Sequence, residues 1–383
     1  MRLQGPWMEH VGTQAVCNML KAAGFQALFV GGCVRNGLIG VRVSDIDIAT
    51  DATPDVVCDL AENAGLRAVP TGIEHGTVTV IAQGKPHEVT TFRKDVETHG
   101  RHATVAFSTD IAEDAARRDF TMNALYASPD GEVLDPTGEG LADLSSRRLR
   151  FIGRAEDRIR EDYLRILRFF RFHAWYADPE NGLDPDGLSA CAALSAGLET
   201  LSKERIGSEI KKLLSAPNPA PAVAAMAQTG VLIHALPGAD ACRLPILIDI
   251  EDAHDIPADP IRRLAALGGQ SPESALRLSK AEGRRLSLIA EQIGTATGPM
   301  ELGYRHGADD ARDILMLRAA SFERRLDPAE LDDVARGAVA LFPITAADLM
   351  PALSGPALGA KLKELENRWI ASGFTLDRTA LLS

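Results

Sequence analysis

Cysteine is sparse and scattered in this chain of 383 residues. Cys17, Cys33, Cys58, Cys191 and Cys242 form no CxxC pair, which argues against a disulfide framework or a structural zinc and fits a reducing cytoplasm. Long apolar runs are missing, so no membrane span is expected. The first nine residues lack the basic region and apolar core of a signal peptide. Positive charge is in deficit, with 41 Lys+Arg against 53 Asp+Glu and a net charge of −12. That excludes a uniformly basic nucleic-acid binder, but not one with a local basic surface. Internal repeats, low-complexity tracts and coiled-coil heptads are absent. What remains is a 45% hydrophobic composition, ample for packed cores, on a chain long enough for about two to four domains.

The chain is organised around residues 28–50, LFVGGCVRNGLIGVRVSDIDIAT. Leu28-Phe29-Val30 reads as a short buried strand. It ends in Gly31-Gly32, where the backbone can turn tightly and approach a ligand. Farther on, Asp45-Ile46-Asp47-Ile48 alternates, so both carboxylates share one strand face while the isoleucines pack on the other. Adjacent carboxylates repel unless a cation lies between them, and Mg²⁺ prefers oxygen ligands. A lone Asp-x-Asp or Gly-Gly is commonplace. Their combination in one strand-turn-helix-strand unit points to nucleotidyl transfer.

The surrounding pattern predicts a small α/β domain with one mixed sheet. Helices are expected over 8–23 and from Pro54 to about Asn63, with Thr53 as N-cap. Strands are expected over 66–70, 77–82 and 87–92, the last two joined by a Gly84-Lys85-Pro86 turn. Residues 93–109, with Asp95, Gly100 and Arg101, show no clear period and read as a long flexible loop, either a solvated excursion or a cover for the site. A closing hairpin is expected around Pro129-Asp130-Gly131. Arg117-Arg118-Asp119 then offers two guanidiniums for a triphosphate and a carboxylate for a ribose hydroxyl.

From Leu141 onward the texture is helical. Residues 147–172 hold nine arginines against four acids. One helix is expected through residues 161–172, with Glu161, Arg165, Arg168 and Phe172 on one stripe and Asp162 paired with Arg165. Intrahelical ion pairing is the ordinary meaning of that spacing; the aromatics argue for burial, where charges need partners. Cytosine and adenine each present an exocyclic amine beside a ring-nitrogen acceptor. Guanine and uracil reverse that order. A carboxylate next to a guanidinium therefore suits C and A and rejects G and U.

Four ordered motifs carry a family resemblance: Gly31-Gly32-x-Val34-Arg35 with Asp45-x-Asp47; Arg117-Arg118-Asp119-Phe120-Thr121-x-Asn123-Ala124; Asp135-Pro136-x-Gly138; and Glu161-Asp162-x-x-Arg165-x-x-Arg168. Together they resemble the class II bacterial tRNA nucleotidyltransferases (CCA-adding enzymes), a group that also contains bacterial poly(A) polymerases. The resemblance implies an α+β protein: a polymerase-β-like head over 1–140, a helical neck over 141–216 that reads the base, and a helical body and tail over 217–383 that grip the tRNA acceptor stem and elbow. It implies Asp45 and Asp47 as catalytic Mg²⁺ ligands, with Glu88 as the candidate third carboxylate. Gly31, Gly32, Arg35, Arg118 and Asn123 would contact phosphate, Asp119 the ribose, and Glu161, Asp162, Arg165 and Arg168 the base. Two departures stand out: Asn36 where the family has Asp, and Gly138-Glu139-Gly140 in place of a Gly-Gly pair.

The implied reaction is addition of CCA to the tRNA 3′ end from CTP and ATP, with pyrophosphate released. Family enzymes that add only CC are expected to lack a loop between the first two motifs, and residues 93–109 match that loop. A poly(A) polymerase, expected to bring a longer basic tail, or a partial CC- or A-only enzyme stands as the alternative. A catalytically silent RNA-binding module would show damaged carboxylates, whereas Asp45 and Asp47 are intact. In the C-terminal half, Pro217, Pro219 and Pro221 mark the expected boundary of the body. Helices are expected over 222–228, 260–267, 280–293, 309–320, 328–341, 346–351 and 356–372. The turn at 354–359, with Lys361 and Lys363 beyond it, reads as a phosphate contact or a plain helix start. His254-Asp255 lacks the other ligands of a metal phosphohydrolase and reads as a loop.

Overall fold

The computed structural model describes residues 2–73, 76–99, 102–350 and 352–383, with side chains described outside 95–105. Gly100 and Arg101 of the expected loop, and Pro351 at the expected end of one tail helix, lie outside the described residues. The chain forms two compact units, Met1–Ala235 and Leu236–Ser383. The division falls after the proline-rich stretch, because Pro221 opens the helix Ala220–Gln228, whose Ala222, Val223 and Met226 are buried.

The first unit holds a seven-stranded mixed sheet. Its strands are β1 (Leu28–Val30), β2 (Asp47–Thr50), β3 (Arg67–Gly72), β4 (Thr77–Ala82) and β5 (Lys85–Thr91), while β6 (Arg93–His99) and β7 (His102–Phe107) stand apart, and β8 (Tyr126–Ala127) and β9 (Val133–Leu134) complete it. The order is β3-β4-β5-β2-β1-β8-β9. Only β2 and β5 run parallel; the other neighbours are antiparallel. The β4–β5 turn is Gln83-Gly84, both at positive φ (52° and 74°). That two-residue geometry matches strand twist, so Lys85 and Pro86 already belong to the strand rather than to the turn.

Residues 93–109 correct the loop expectation. β6 and β7 pair antiparallel as a separate ribbon, closed at its base by Ser108 N–H donating to Phe92 O at 2.8 Å. The physical reason is that a ladder of backbone bonds needs no apolar alternation, which was the only strand signal available.

The second unit is helical. Two of its helices, Pro299–His306 and Pro328–Ala338, meet backbone to backbone: a Cβ on Gly303 would stand 2.3 Å from Val334 O. Trp369 gathers Tyr304, Phe342 and Phe374 around it. The expected helix over 280–293 is present as Lys280–Ile293 with Ser279 in a capping box. An unforeseen helix, Arg243–Ala253, brings Glu251 to a buried ion network. Glu251 accepts from Arg262 Nε and Arg263 Nε, both at 2.8 Å, and Arg262 also donates to Asp313 at 2.9 Å. All four side chains are at most 2% exposed.

Removing one member of such a network strands a buried charge, at a cost of about 3–5 kcal/mol. Glu251→Gln should lower unfolding stability by that order in urea denaturation. A loss below about 1 kcal/mol, the range of exposed pairs, would show that the network is not closed to water.

Candidate active site

The site grows from the end of β1. Gly31 takes φ 69°, and its N–H donates to Leu125 O at 3.2 Å. A Cβ there would be in ordinary contact with Arg118 Nη1 at 3.5 Å, so it is the left-handed backbone, not lack of space, that calls for glycine. β2 starts at Asp47, directly opposite Glu88 on the parallel strand β5. Asp45 lies two residues earlier, just before the strand, exposed and hydrogen-bonded by Ser44 at 2.9 Å. Ile46 and Ile48 are buried, so the alternation runs as the sequence implies. Burial, and then the neighbouring Glu88 carboxylate, push the Asp47 carboxyl up to about 6; Asp45 adds to this and Arg118 opposes it.

The paired arginines are aimed by a residue that sequence reading passed over. Asp114, on the helix Ile111–Ala116, accepts from Arg117 Nε at 3.0 Å, Arg118 Nη2 at 3.0 Å and Tyr126 OH at 2.6 Å. The signal was available, since a helical Asp three and four residues before an Arg-Arg pair faces both. Asp119 Oδ1 accepts from Asn123 Nδ2 at 3.0 Å, and its Oδ2 from Arg168 Nε at 2.7 Å. Burial would raise the Asp119 carboxyl, but Arg168 and the Asn123 amide outweigh it and hold it below the usual range.

A cleft of about 430 Å³ gathers much of this. Asp47, Glu88, Arg118, Asp119, Asp162, Arg165 and Arg168 all line it, and so do Arg93, Arg117 and Arg205. Gly31, Gly32, Arg35, Asp45, Asn123 and Glu161 are not in its lining. Arg35 is 5% exposed. Its guanidinium donates to Asn36 and Asn123 and lies 3.9 Å from the centre of the Tyr176 ring. The expected phosphate contact at Arg35 is therefore corrected: the side chain is turned inward, where its charge is met by amides and a ring face. Asn123 likewise bridges Arg35 and Asp119 rather than facing the cleft. Asn36, the departure from the family pattern, serves as Arg35's acceptor.

Residues 161–172 also differ from the single expected helix. One helix, Ala155–Glu161, ends there; Asp162 is extended (φ −154°, ψ 106°); a second helix, Leu164–Tyr176, follows. Glu161 accepts from Arg165 at 2.6 Å, and Arg165 donates further to the carbonyls of Arg158 (3.1 Å) and Arg117 (2.9 Å). Asp162 thus meets Arg165 only through the backbone, where Arg165 N–H donates to Asp162 O at 2.9 Å, and its carboxylate is turned elsewhere. Its partner is Arg205, at 2.7 Å, 43 positions along the chain and without any local signal. In the third motif the Asp135 carboxylate closes its own turn, accepting from Gly138 and Leu141 N–H at 3.1 and 3.0 Å. Gly140 packs where a Cβ would stand 2.6 Å from Thr121 O, so the glycine that interior contact requires is present despite the inserted Glu139.

A mixed sheet with a carboxylate pair at one strand end, facing an arginine-lined cleft and followed only by helices, defines a polymerase-β-like nucleotidyltransferase. The family profile described as Poly A polymerase head domain matches residues 27–150, and that described as probable RNA and SrmB-binding site of polymerase A matches residues 182–243. The chain is 32% identical over 409 aligned residues to CCA tRNA nucleotidyltransferase 1, mitochondrial, of Mus musculus, covering 100% of this chain and 92% of that protein. It is 41% identical over 213 residues to the CCA-adding enzyme of Streptococcus pyogenes, covering 55% of this chain and 51% of the relative. A solved structure of the Bacillus stearothermophilus CCA-adding enzyme in complex with CTP superposes with a TM-score of 0.78 at 29% identity, covering 97% of this chain and 94% of the other. The chain belongs to the CCA tRNA nucleotidyltransferase family.

Such nucleotidyltransferases depend on divalent metal. The donors present are hard carboxylate oxygens, with Asp47 raised by burial and then by its Glu88 neighbour. Among the described residues no group of three or more His, Cys, Asp or Glu forms a protein-only metal cage. That combination fits an ion held by one or two carboxylates together with substrate phosphates.

Arg118, Arg117 and Tyr126 outweigh the burial that would raise Asp114 and hold its carboxyl at about 2. A carboxyl depressed on folding stabilises fully above its unfolded value of about 4, and that contribution is lost as pH falls through the folded value. Stability of the intact protein should therefore fall from about pH 4 to about pH 2, with this group supplying about 2 kcal/mol. Asp114→Asn should be less stable at neutral pH and flatter across that window, measured by urea denaturation at each pH. An acid limb as steep as the parent's would sink the assignment.

Proposed function

We propose that this chain adds C, C and A in turn to the 3′ end of tRNA from CTP and ATP, releasing pyrophosphate at each step. The observation that carries the proposal is the single cleft uniting Asp47 and Glu88 with Arg118, Asp119 and the Asp162–Arg165 wall. In each step the tRNA 3′-oxygen forms a bond to the α-phosphorus, the bond from that phosphorus to the β-phosphate oxygen breaks, and the hydroxyl proton departs. Asp45 and Asp47, with Glu88 beside them, would hold Mg²⁺. The ion would supply activation of the hydroxyl and charge neutralisation on the triphosphate.

The protein's own groups do the positioning. Arg117 and Arg118, pre-aimed by Asp114, neutralise triphosphate oxygens without reorganising as charge shifts to the leaving group. The backbone of Gly31-Gly32 leaves room for that approach. Asp119, held by Arg168, accepts a ribose hydroxyl. Asp162 accepts the exocyclic amine of C or A, and Arg165 donates toward the ring nitrogen, while Glu161 holds Arg165 in place. A carbonyl in the amine's position would leave two acceptors facing each other.

The head over 1–140 performs the chemistry and the neck over 141–216 reads the base. The helices beyond carry the tRNA acceptor stem and elbow, a reading supported by the RNA-binding profile over 182–243. The β6–β7 ribbon occupies the place between the first two motifs where CC-only relatives are expected to lack a loop, which favours addition of the terminal A. All five cysteines are free thiols, which suits a reducing compartment such as the cytoplasm.

The decisive experiment supplies full-length protein and Mg²⁺ with tRNAs ending before CCA, after C and after CC, each with CTP, ATP or both. The expected product is CCA followed by a stop. A long A ladder would mean a poly(A) polymerase, and a halt at CC or addition of A alone would mean a partial enzyme. Asp47→Asn should lose several kcal/mol of transition-state stabilisation, a rate drop on the order of a thousandfold, while still retaining tRNA in a filter-binding assay. Near-parent rates in that variant would remove Asp47 from the mechanism.

A further inference from the structure

The carboxylate that would accept the base's amine is held by a residue outside the four motifs. Asp162 Oδ1 is taken by the Leu164 N–H at 3.1 Å, and Oδ2 by Arg205 Nη2 at 2.7 Å. The side chains of this pair are 33% and 47% exposed, whereas Arg165 is 15% exposed. A pair so open to water contributes little to stability, so stability is a poor reason for its place. Both members line the catalytic cleft, and both also line a second cavity of about 690 Å³ with Tyr163 and Ser202. The ion pair is thus a wall with open space on either side.

Arg205 reaches that wall from the helix Lys203–Leu214. One turn later on the same helix, Glu209 accepts from Arg171 Nε of the base-side helix at 2.6 Å, and this second pair is closed to solvent (13% and 5% exposed). The Arg171–Glu209 pair is placed to set the register of the two helices. Arg205 is placed to act on Asp162.

From this geometry we infer that Arg205 is a specificity-determining positioning residue, the guanidinium that keeps the Asp162 carboxylate oriented as an acceptor. The inference rests on the proposed CCA activity and names a residue that reading assigned no part. An ionised, fixed carboxylate rewards an amine and repels a carbonyl at the same place. Released from Arg205, the Asp162 carboxylate can swing away, and the carbonyl of U or G is then tolerated. Arg205 therefore governs selectivity more than rate.

The test uses full-length protein with Mg²⁺ in single-turnover incorporation. A tRNA lacking CCA is given CTP or UTP, and a tRNA ending in CC is given ATP or GTP. Arg205→Gln, which keeps length and loses charge, should lower the CTP/UTP and ATP/GTP ratios of kcat/KM about ten- to a hundredfold, the range of a charge-assisted hydrogen bond. The loss should fall mainly on KM for the correct nucleotide. Arg205→Lys should recover most of the ratio, and Glu209→Gln should lower the melting temperature while leaving the ratio in place. Ratios within twofold of the parent in Arg205→Gln would overturn the inference, as would an equal collapse in Glu209→Gln, which would reduce Arg205 to packing. A parent protein without preference for CTP and ATP would overturn the functional reading itself, and this inference with it.

Discussion

One continuous chain of polar contacts joins the helix that follows the glycine turn to the helix Leu164–Tyr176, and the arrangement of the cleft depends on it. Asn36 holds Arg35, Arg35 donates to Asn123, Asn123 donates to Asp119, and Asp119 accepts from Arg168. The Arg35 guanidinium is stacked against Tyr176 and Phe172 of the helix that carries Arg168. Aromatic residues are only 5% of the sequence, yet Phe120, Phe151, Phe169 and Phe172 pack together beside this chain. A buried charge without partners is costly. Each link is therefore held by its neighbours.

Around that chain the electrostatics follow one pattern. The protein as a whole carries −12, yet its cleft is lined by arginines, and five of them are held by carboxylates. Asp114 holds Arg117 and Arg118, Glu161 holds Arg165, Asp119 holds Arg168, and Asp162 holds Arg205. Guanidiniums restrained in this way meet a triphosphate with little reorganisation. The carboxylates at the strand end are of the other kind. Asp47 faces Glu88 across β2 and β5, and its raised pKa reflects burial first and the neighbouring carboxylate second, both of which a cation relieves.

The long, strongly patterned parts of the fold were legible in the sequence. The strand before Gly31, the alternation through Asp45 and Asp47, the β8–β9 hairpin and the Ser279-capped helix are local consequences of apolar spacing, turn residues and caps. Helix and strand ends moved by a residue or two where a turn closed earlier than its glycine suggested, as at Gln83-Gly84. The β6–β7 ribbon was missed because β6 carries no apolar alternation, and the short one at Ala103, Val105 and Phe107 had no patterned partner beside it. The break at Asp162 was missed because helical spacing continues through it; what interrupts the helix is a carboxylate turned to cap Leu164 and meet Arg205.

The sequence by itself therefore determined which chemical groups this protein has and in what order: the glycine turn, the paired carboxylates, the arginine pair and the acid-arginine run. Those depend on residue type and spacing over a few positions, which a linear chain records in full. Only the tertiary structure decided which partner each charge takes. It turned Arg35 inward, set Glu88 beside Asp47, gave the arginine pair to Asp114 and brought Arg205 to Asp162. A side chain with several donors has many feasible partners along the chain. Which one it meets depends on how helices and strands pack, and on the cost of leaving any buried charge unmatched.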